Sequence, residues 1–363
     1  MADSGNKGEW SEFYTLLKLI TEKKVHAADE DLNVLPSFYP ILKVTTDKGV
    51  KGSELGYDLR TDNIVQIVRP DEGIVKTIQV DSLRKHVKEI FEMISSKTNR
   101  SSFAIKLAED LFEVLCKPSL RASTVNKADI FVLLEHVASL AEREIGFSIK
   151  SQVGAKASLL NASGATNFIY IIDGIKADGL TVNEINSLAT TKEKIEKIYA
   201  MGGSIKFESL KNQIFCTNLR KIDSFMPEIM AELVLTAYST GKKRINKLVD
   251  LIEAENPFES KGFVCNSSMY HIKVRSLLME IALGMIPSKD WDGSSEANGG
   301  YLIVKSDGDV VCYHIYDRDI FKRYLINNTY LEAPSRGRHK YGIIYLSEGK
   351  LKINLNLQIR FSS

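Results

Sequence analysis

Residues 127–154, KADIFVLLEHVASLAEREIGFSIKSQVG, contain the pattern around which we expect the fold to be organised. Two apolar runs predict neighbouring strands, with the acid Asp129 at the start of the first and Lys150 near the end of the second. Side chains alternate along a strand, so Ser148, Lys150 and Gln152 share one face of the second strand. The stretch therefore predicts an acid and a lysine presented by two paired strands.

The acid and the lysine have two interpretations. An acid on one strand and a lysine on the next suit metal-assisted phosphodiester hydrolysis, because the acid can hold a divalent ion and the lysine can stabilise developing negative charge. A solvated strand face or a structural Asp–Lys pair would explain the same pattern. The run IFVLLEHV is nearly all apolar and indicates burial on both faces, so Lys150 needs a partner, and Asp129 is the nearest candidate.

Composition narrows the class of protein. The 363 residues are 44% hydrophobic, which suits a globular chain of two or three domains. Apolar stretches fall short of the roughly 20 residues needed to cross a bilayer, and the N-terminus does not resemble a signal peptide. Four cysteines lie far apart, which argues for a reducing cytoplasm and against structural zinc. A net charge of +2 neither requires nor excludes nucleic acid.

Residues 8–24, GEWSEFYTLLKLITEKK, predict an amphipathic helix with one unusual acid. Glu12 lies in line with Leu16 and Leu19, on a flank that we expect to be largely buried. A carboxylate there is destabilising by several kcal/mol unless a positive charge meets it. Glu12 is either a helix-start acid favoured by the helix dipole or a ligand that faces a metal ion.

The remaining sequence predicts alternating strands and helices. Apolar runs within residues 40–80 predict three strands, and residues 81–116 predict two helices, the second closed by Pro118. The polar residues of the segment 153–174 could cap turns or contact a phosphate or a base edge; they include Asn161, Ser163, Thr166 and Asn167. Capping-box spacings and the Pro227–Gly241 pattern predict further helices, followed by the basic run 242–244.

The C-terminal region predicts two β-hairpins separated by a helix. The hairpins turn at Asp307-Gly308 and Glu348-Gly349. Residues 351–361 alternate cleanly, and their polar face carries no acid, a composition that suits nucleic acid as well as solvent. A basic loop precedes this strand and contributes the candidate DNA contacts Arg336, Arg338, His339 and Lys340.

Several extended segments together resemble the HpaII family of type II restriction endonucleases. They are KGEWSEFYTLLKL, GFSIKSQVG, LLNASGATNFIY, GGYLIVKSDGDVVCYHIY and LNLQIRF, and the resemblance runs from about residue 5 to the C-terminus. The family is assigned to the PD-(D/E)xK nuclease superfamily. The resemblance implies a bacterial, cytoplasmic enzyme that cuts double-stranded DNA at the palindrome CCGG with Mg²⁺, paired with a cognate DNA methyltransferase.

The resemblance also implies roles for individual residues. Asp129 takes the position of the metal-binding acid, and Lys150 takes that of the catalytic lysine. Glu12 resembles the first-helix glutamate that adds to the metal shell, with Glu9 as its alternative. Ser148 stands where the superfamily usually has a second acid, which leaves a second metal ligand to be found.

Two acids and one amide complete the predicted centre. Glu144, on the same strand face as Ser148, and Glu135, on the partner strand, are candidates for the missing metal ligand. Gln152 is a candidate for orienting the attacking water or a phosphate.

Together these expectations define a mixed α/β (α+β) protein. Residues 1–178 are predicted to form a restriction-endonuclease-like core, a mixed central sheet flanked by helices. Residues 179–363 are predicted to hold a helical segment and a C-terminal ββαββ region that recognises DNA. A palindromic site favours a homodimer, although a monomer that nicks each strand in turn is equally consistent. Because of Ser148, a catalytically inactive, sequence-specific DNA-binding protein is the alternative function.

Overall fold

The structure is a computed structural model that describes residues 3–98, 101–120, 128–135, 144–264, 267–335 and 338–362. Within these ranges the chain is a mixed α/β protein, as the sequence predicted. The strands are β1 Ser4–Gly5, β2 Lys24–Ala28, β3 Val34–Thr46, β4 Leu55–Asp58, β5 Ile64–Arg69, β6 Gly73–Gln79, β7 Phe103–Ala104, β8 Ile130–Leu134, β9 Glu144–Ser151, β10 Ser158–Leu160, β11 Asn167–Asp173, β12 Ser204–Leu210, β13 Gly300–Val304, β14 Val310–His314, β15 Thr329–Leu331, β16 Ile344–Ser347, β17 Lys350–Asn356 and β18 Ile359–Phe361. The helices are α1 Lys7–Glu22, α2 Val80–Ser95, α3 Lys106–Val114, α4 Gly179–Asn186, α5 Thr191–Ala200, α6 Gln213–Ile222, α7 Met226–Thr240, α8 Ile245–Glu255, α9 Met269–Leu283 and α10 Arg318–Asn327.

The chain forms two compact units, each built from two stretches of sequence. The first contains residues 1–157 and 295–324, and the second contains residues 158–294 and 325–363. These bounds differ from the predicted single boundary after residue 178. The difference arises because β13 and β14 pair within the first unit, with β9 and β2 respectively, and so return a late segment to an early sheet.

The first unit is organised by a nine-stranded mixed sheet. Its strand order is β2-β14-β13-β9-β8-β3-β4-β5-β6, and β2 also pairs with β3. The central strands β8 and β9 are antiparallel, with Ile130 opposite Phe147, whereas β13 runs parallel to β9. This arrangement confirms the predicted mixed central sheet and the predicted pairing of the strand that Asp129 precedes, β8, with the strand that carries Lys150, β9.

Helix α1 begins where its sequence supplies a capping box. The Asn6 side chain accepts hydrogen bonds from the backbone N–H groups of Gly8 and Glu9, while Glu9 Oε2 accepts one from Asn6 N. These contacts satisfy N–H groups that would otherwise lack helical partners. The apolar stripe that follows is buried in the core of the unit, with Trp10 and Leu17 fully buried.

The second unit contains two antiparallel sheets and most of the helices. One sheet has the order β12-β11-β17-β16 and the other has the order β10-β18-β15. Helix α7 is largely buried. The hydroxyl of Tyr170, on β11, donates a hydrogen bond over 2.7 Å to the carbonyl of Ala231, in α7. The capping box at Thr190 and the α7 span match the sequence predictions. The capping box predicted at Thr181 is wrong, because Asp178 caps α4 and Thr181 lies within that helix.

The C-terminal predictions need two corrections. The expected ββαββ region is not one unit, because its first hairpin, β13–β14, joins the first unit and its second, β16–β17, joins the second. The expected long final strand is two strands, β17 and β18, which belong to different sheets. Periodicity alone could not reveal this break, since the apolar alternation continues through Leu357 and Gln358.

The polar face of β17 is also different from its expected role. Lys352, Asn354 and Asn356 are 9%, 8% and 2% exposed, so this face is buried within the protein and is not an open surface for DNA. Each of these three side chains has an internal partner. Lys352 Nζ lies 2.8 Å from Glu208 Oε2, and Asn354 Oδ1 accepts a hydrogen bond from Tyr345.

Among the described residues, no helix has the length and apolarity needed to span a bilayer.

Candidate active site

Asp129 immediately precedes β8, next to the middle of β9. Its backbone N–H donates to the Phe147 carbonyl, which extends the β8–β9 pairing by one residue. Its Oδ2 accepts hydrogen bonds from Ser148 Oγ at 3.0 Å and from the Ile149 N–H at 2.6 Å. Both bonds orient the carboxylate, and among the described residues Oδ1 has no hydrogen-bond donor. Asp129 is therefore a fixed carboxylate with one oxygen available to a ligand.

Lys150 is held beside Asp129 through Ser148. Lys150 Nζ donates to Ser148 Oγ over 2.6 Å and to the Ile149 carbonyl over 3.1 Å. It also lies 5.1 Å from the ring centroid of Tyr301, on the neighbouring strand β13. An ammonium group has three N–H donors, so two are used and one remains for an anion. The three polar side chains form a continuous chain of hydrogen bonds from lysine to serine to aspartate.

Glu12 adds a second carboxylate to this cluster from helix α1. It is half-buried, and among the described residues nothing donates a hydrogen bond to it. Burial, and next the negative charge of Asp129, raise the pKa of Glu12 to about 8, although the charges of Lys150 and Lys117 oppose the rise. Glu12 and Asp129 are thus close enough to repel each other, and a cation between them would relieve the repulsion.

Lys117 is a member of this neighbourhood that the sequence did not single out. Its Nζ lies 3.6 Å from Asp47 Oδ2, and both side chains are only 5% exposed. Its positive charge also acts on Glu12. The residue follows Cys116, whose φ of 55° is left-handed. No local pattern marks Lys117, because its neighbours Asp47 and Glu12 are distant in sequence.

A cavity of about 560 Å³ opens beside the cluster. Glu12 and Lys150 line it together with Lys7, Ser151 and Gly154. The cavity provides space for a substrate group next to the lysine and the second carboxylate.

Comparisons with known proteins identify the family. A profile of the HpaII restriction endonuclease family matches residues 6–361. The chain belongs to the HpaII family of restriction endonucleases. It is 37% identical over 358 residues to a protein named type II restriction enzyme HpaII from Haemophilus parainfluenzae, a match that covers 99% of this chain and 98% of the relative. No solved structure matches the chain. The resemblance first seen in the sequence is confirmed.

Within this family member, Glu144 lies apart from the cluster that contains Asp129. Its carboxylate is 2.8 Å from Lys43 Nζ and 2.6 Å from Lys48 Nζ, and it accepts a hydrogen bond from Thr45. Burial alone would raise the pKa of Glu144, but the hydrogen bonds from both lysines outweigh burial and lower it to about 2. Glu144 is an ion-pair residue here, so the structure does not join it to the predicted metal ligands.

Three further candidates are outside the chain of hydrogen bonds that joins Lys150, Ser148 and Asp129. Gln152 accepts a hydrogen bond at Oε1 from Ser306 N, which ties it to the β13–β14 turn. Glu9 caps its own helix, the role that one interpretation had given to Glu12. Glu135 is exposed at the far end of β8 from Asp129.

The structure describes five of the six residues that the sequence predicted as DNA contacts. Asn167 is fully buried; its Nδ2 donates to the His339 carbonyl and its Oδ1 accepts from Asn356, so its side chain is structural. Asn161 is exposed. Arg338 and Lys340 are exposed in the loop that Asn167 anchors, whereas Arg336 lies outside the described residues.

Proposed function

We propose that this protein is a type II restriction endonuclease that cuts both strands of DNA at a short palindrome, CCGG, by Mg²⁺-dependent hydrolysis. The observation that carries the proposal is the hydrogen-bonded chain Lys150–Ser148–Asp129, with Glu12 facing the same aspartate. Family membership over nearly the whole chain makes DNA the expected substrate. Asp129, Lys150 and Glu12 are the proposed catalytic and metal-binding residues.

The carboxylates present suit a magnesium ion. Among the described residues, no group of three or more His, Cys, Asp or Glu side chains is gathered as a metal site. Mg²⁺ in nucleic-acid enzymes is usually held by one or two carboxylates plus substrate phosphates and water, so Asp129 and Glu12 are sufficient. Burial first, and then repulsion from Asp129, raise the pKa of Glu12, and a divalent cation held by the two carboxylates would offset both effects.

Each residue then has a defined task. Bound Mg²⁺ would supply Lewis acidity and make water a better nucleophile at neutral pH. Asp129 would contribute Oδ1 to the ion while Ser148 and Ile149 N–H hold Oδ2. Lys150 would use its third N–H to stabilise negative charge on the phosphate during in-line attack.

Ser148 explains how the site functions without the second acid of the superfamily pattern. Its hydroxyl accepts from Lys150 and donates to Asp129, whereas a carboxylate at this position would accept from Lys150 but repel Asp129. We infer that Glu12 supplies the negative charge that Ser148 does not. Gln152 is bonded to Ser306 and Glu144 is paired with Lys43, so neither is proposed as a ligand of the ion.

The proposed partners are double-stranded DNA and a cognate DNA methyltransferase that protects the host site. A two-fold symmetric dimer would match the symmetry of the palindrome. Arg338, His339 and Lys340 are the proposed phosphate or base contacts, since two of them are exposed and cationic.

The deciding experiment is digestion of a sequenced phage genome by the full-length protein with Mg²⁺, followed by mapping of fragment ends. Discrete fragments ending within CCGG support the proposal. Sequence-specific retardation in a gel without fragments would instead identify an inactive DNA-binding protein. The absence of any DNA binding at low salt would contradict both functions.

A further inference from the structure

The cavity of about 560 Å³ beside the proposed catalytic residues contains a lysine to which the proposed chemistry gives no role. Lys7, the first residue of α1, lines this cavity together with Glu12 and Lys150. Among the described residues of the lining, these three are the charged ones, so two cations face one carboxylate. A ligand that carries more than one negative charge would therefore meet a second cation here.

The side chain of Lys7 packs on the segment that follows β9. Gly154, in this segment, has a φ of +123°, a backbone conformation that favours glycine. A Cβ atom at Gly154 would lie 2.8 Å from Lys7 Cδ, so the aliphatic part of the lysine occupies the space that a larger residue would need. Glycine at this position therefore allows the lysine to lie beside the cavity.

The backbone of Lys7 is tied to the same segment through a buried serine. Ser11 is 1% exposed, and its Oγ donates to the Lys7 carbonyl over 2.7 Å. The hydroxyls of Ser11 and Ser151 are hydrogen-bonded to each other over 2.8 Å, and Ser151 directly follows Lys150. Two hydroxyls thus link the position of Lys7 to the residue next to the proposed catalytic lysine.

The ammonium group of Lys7 has donors left for a ligand. Its Nζ makes one long hydrogen bond, 3.4 Å, to the Ser95 carbonyl, and no carboxylate of the described residues forms an ion pair with it. An ammonium group has three N–H donors, so two remain for the oxygen atoms of an anion. Lys18, on the same helix, is instead paired with Glu22.

We propose that Lys7 binds a phosphate of the cut DNA strand, the one next to the phosphate that Lys150 contacts. The role rests on the proposed nuclease function, which supplies the DNA strand. A DNA strand carries one negative charge at each nucleotide, so a strand whose attacked phosphate lies at Lys150 brings a second phosphate to the same cavity. Lys7 holds the strand and takes no part in the chemical step, so it contributes to affinity more than to rate.

The first test compares Lys7→Met with Lys18→Met. Methionine removes the charge but keeps an unbranched apolar stem that can pack on Gly154. Binding of the full-length protein to a duplex that contains the cleavage site is measured in Ca²⁺ by fluorescence anisotropy at several salt concentrations. Lys7→Met should bind about tenfold more weakly and should reduce the slope of log K against log salt by about 1, the value for one phosphate contact. Lys18→Met should match wild type.

A purely structural role of Lys7 would give a different result. Lys7→Met would then lower the free energy of unfolding without changing the salt slope. Under the proposed role, single-turnover cleavage at saturating enzyme stays close to the wild-type rate, because saturation offsets weaker binding. Lys7→Arg keeps the charge and should retain the wild-type slope. An unchanged slope in Lys7→Met, or a reduced slope in Lys7→Arg, would overturn the proposal.

The second test locates the phosphate. Each duplex carries one neutral methylphosphonate in the cut strand, at a different position around the cleavage site. The neutral linkage next to the cut should weaken binding of wild type and of Lys18→Met by about tenfold, but should not weaken binding of Lys7→Met further. Losses that add at that position in Lys7→Met would show that Lys7 does not contact this phosphate.

The same measurements separate this role from the proposed function. If wild type cuts DNA at a fixed site while Lys7→Met matches it in affinity and in salt slope, Lys7 is not a phosphate ligand and the nuclease function stands. If wild type neither binds nor cuts DNA, the proposed function fails and the role of Lys7 fails with it.

Discussion

Ser148 Oγ donates a hydrogen bond to Asp129 Oδ2 over 3.0 Å, and the same oxygen accepts one from Lys150 Nζ over 2.6 Å. A neutral hydroxyl thus occupies the position between the proposed metal ligand and the proposed catalytic lysine. The bond fixes the direction of the carboxylate and leaves its other oxygen available. The consequences for activity can be measured residue by residue.

Ser148→Ala removes both hydrogen bonds and should lower kcat by about tenfold, since one such bond contributes roughly 1 kcal/mol. Affinity for DNA in Ca²⁺ should stay the same because Ser148 is buried. The measurement is single-turnover cleavage at saturating enzyme. Ser158→Ala, on β10, is the control and should cut at the normal rate. An unaltered rate in Ser148→Ala would show that the hydrogen-bonded chain has no catalytic role.

Lys150→Ala should reduce cleavage by at least about 10²–10³-fold, the usual effect of removing one group that stabilises transition-state charge. Specific DNA binding in Ca²⁺ should survive, as measured by gel shift against a duplex lacking the site. Lys261→Ala, on the surface of the second unit, should behave as wild type. If Lys150→Ala cuts at the wild-type rate, the assignment of the lysine is wrong.

Glu12→Gln tests whether Glu12 is a metal ligand, and Glu9→Gln on the same helix is its control. The change removes the charge that repels Asp129, so Mg²⁺ should bind more weakly and cleavage should require more of it. Without divalent ions, the free energy of unfolding at neutral pH should increase, because wild-type Glu12, with its raised pKa of about 8, must take up a proton on folding and Gln need not. Glu9→Gln keeps the capping box, because the Gln side-chain oxygen can accept the same hydrogen bond from Asn6 N, and should leave the Mg²⁺ dependence unchanged.

An identical Mg²⁺ dependence in Glu12→Gln and wild type would remove Glu12 from the metal site. A shifted dependence in Glu9→Gln as well would indicate that both variants act by disturbing α1.

Glu144 predicts how the protein responds to acid. Its pKa is about 2 in the folded protein and 4.5 ordinarily, so the folded state favours the ionised form. The stability that Glu144 contributes is therefore fully present above about pH 5 and is lost as the pH falls towards about 2. Glu144→Gln should be less stable by about 1–3 kcal/mol at pH 7, with the difference shrinking in acid.

Denaturant unfolding of wild type and Glu144→Gln between about pH 3 and pH 7 measures this difference in stability. The range of about pH 3 to 7 covers part of the window of about 2 to 5 and continues above it. The exposed Glu113→Gln is the control and should have little effect at any pH. Cleavage by Glu144→Gln should persist under stabilising conditions, because its carboxylate is paired with Lys43 and Lys48. Loss of Mg²⁺ binding in this variant would show that Glu144 is a metal ligand after all.

The exposed cations Arg338 and Lys340 should make DNA binding depend on salt concentration. Replacing Arg338 and Lys340 with Ala should weaken DNA binding and reduce the slope of log K against log salt by about 2, close to one for each phosphate contact. Asn167→Ala should instead lower stability, because Asn167 is buried and anchors the loop through the His339 carbonyl. A normal salt slope in the double variant would exclude this loop from the DNA interface.

Much of the fold could be predicted because its signals are local. The apolar stripe of α1, its capping box and the two hairpin turns each depend on residues within a few positions of one another. The β8–β9 pairing was also predictable, since two apolar runs flank one short connection. The division into units was not, because β13 returns to β9 from about 150 residues away, a separation that periodicity does not record.

The sequence by itself indicated the family, through several extended segments that resemble it, and the paired strands, through the two apolar runs along the chain; it also predicted Asp129 and Lys150 as site residues. Only the tertiary structure decided which polar groups meet: Ser148 bridges that pair, and Lys117 approaches Glu12. It also decided that Glu144 is engaged by lysines of another segment. The reason is physical: the partners of a buried polar group are set by which distant segments pack against it, and local sequence does not specify them.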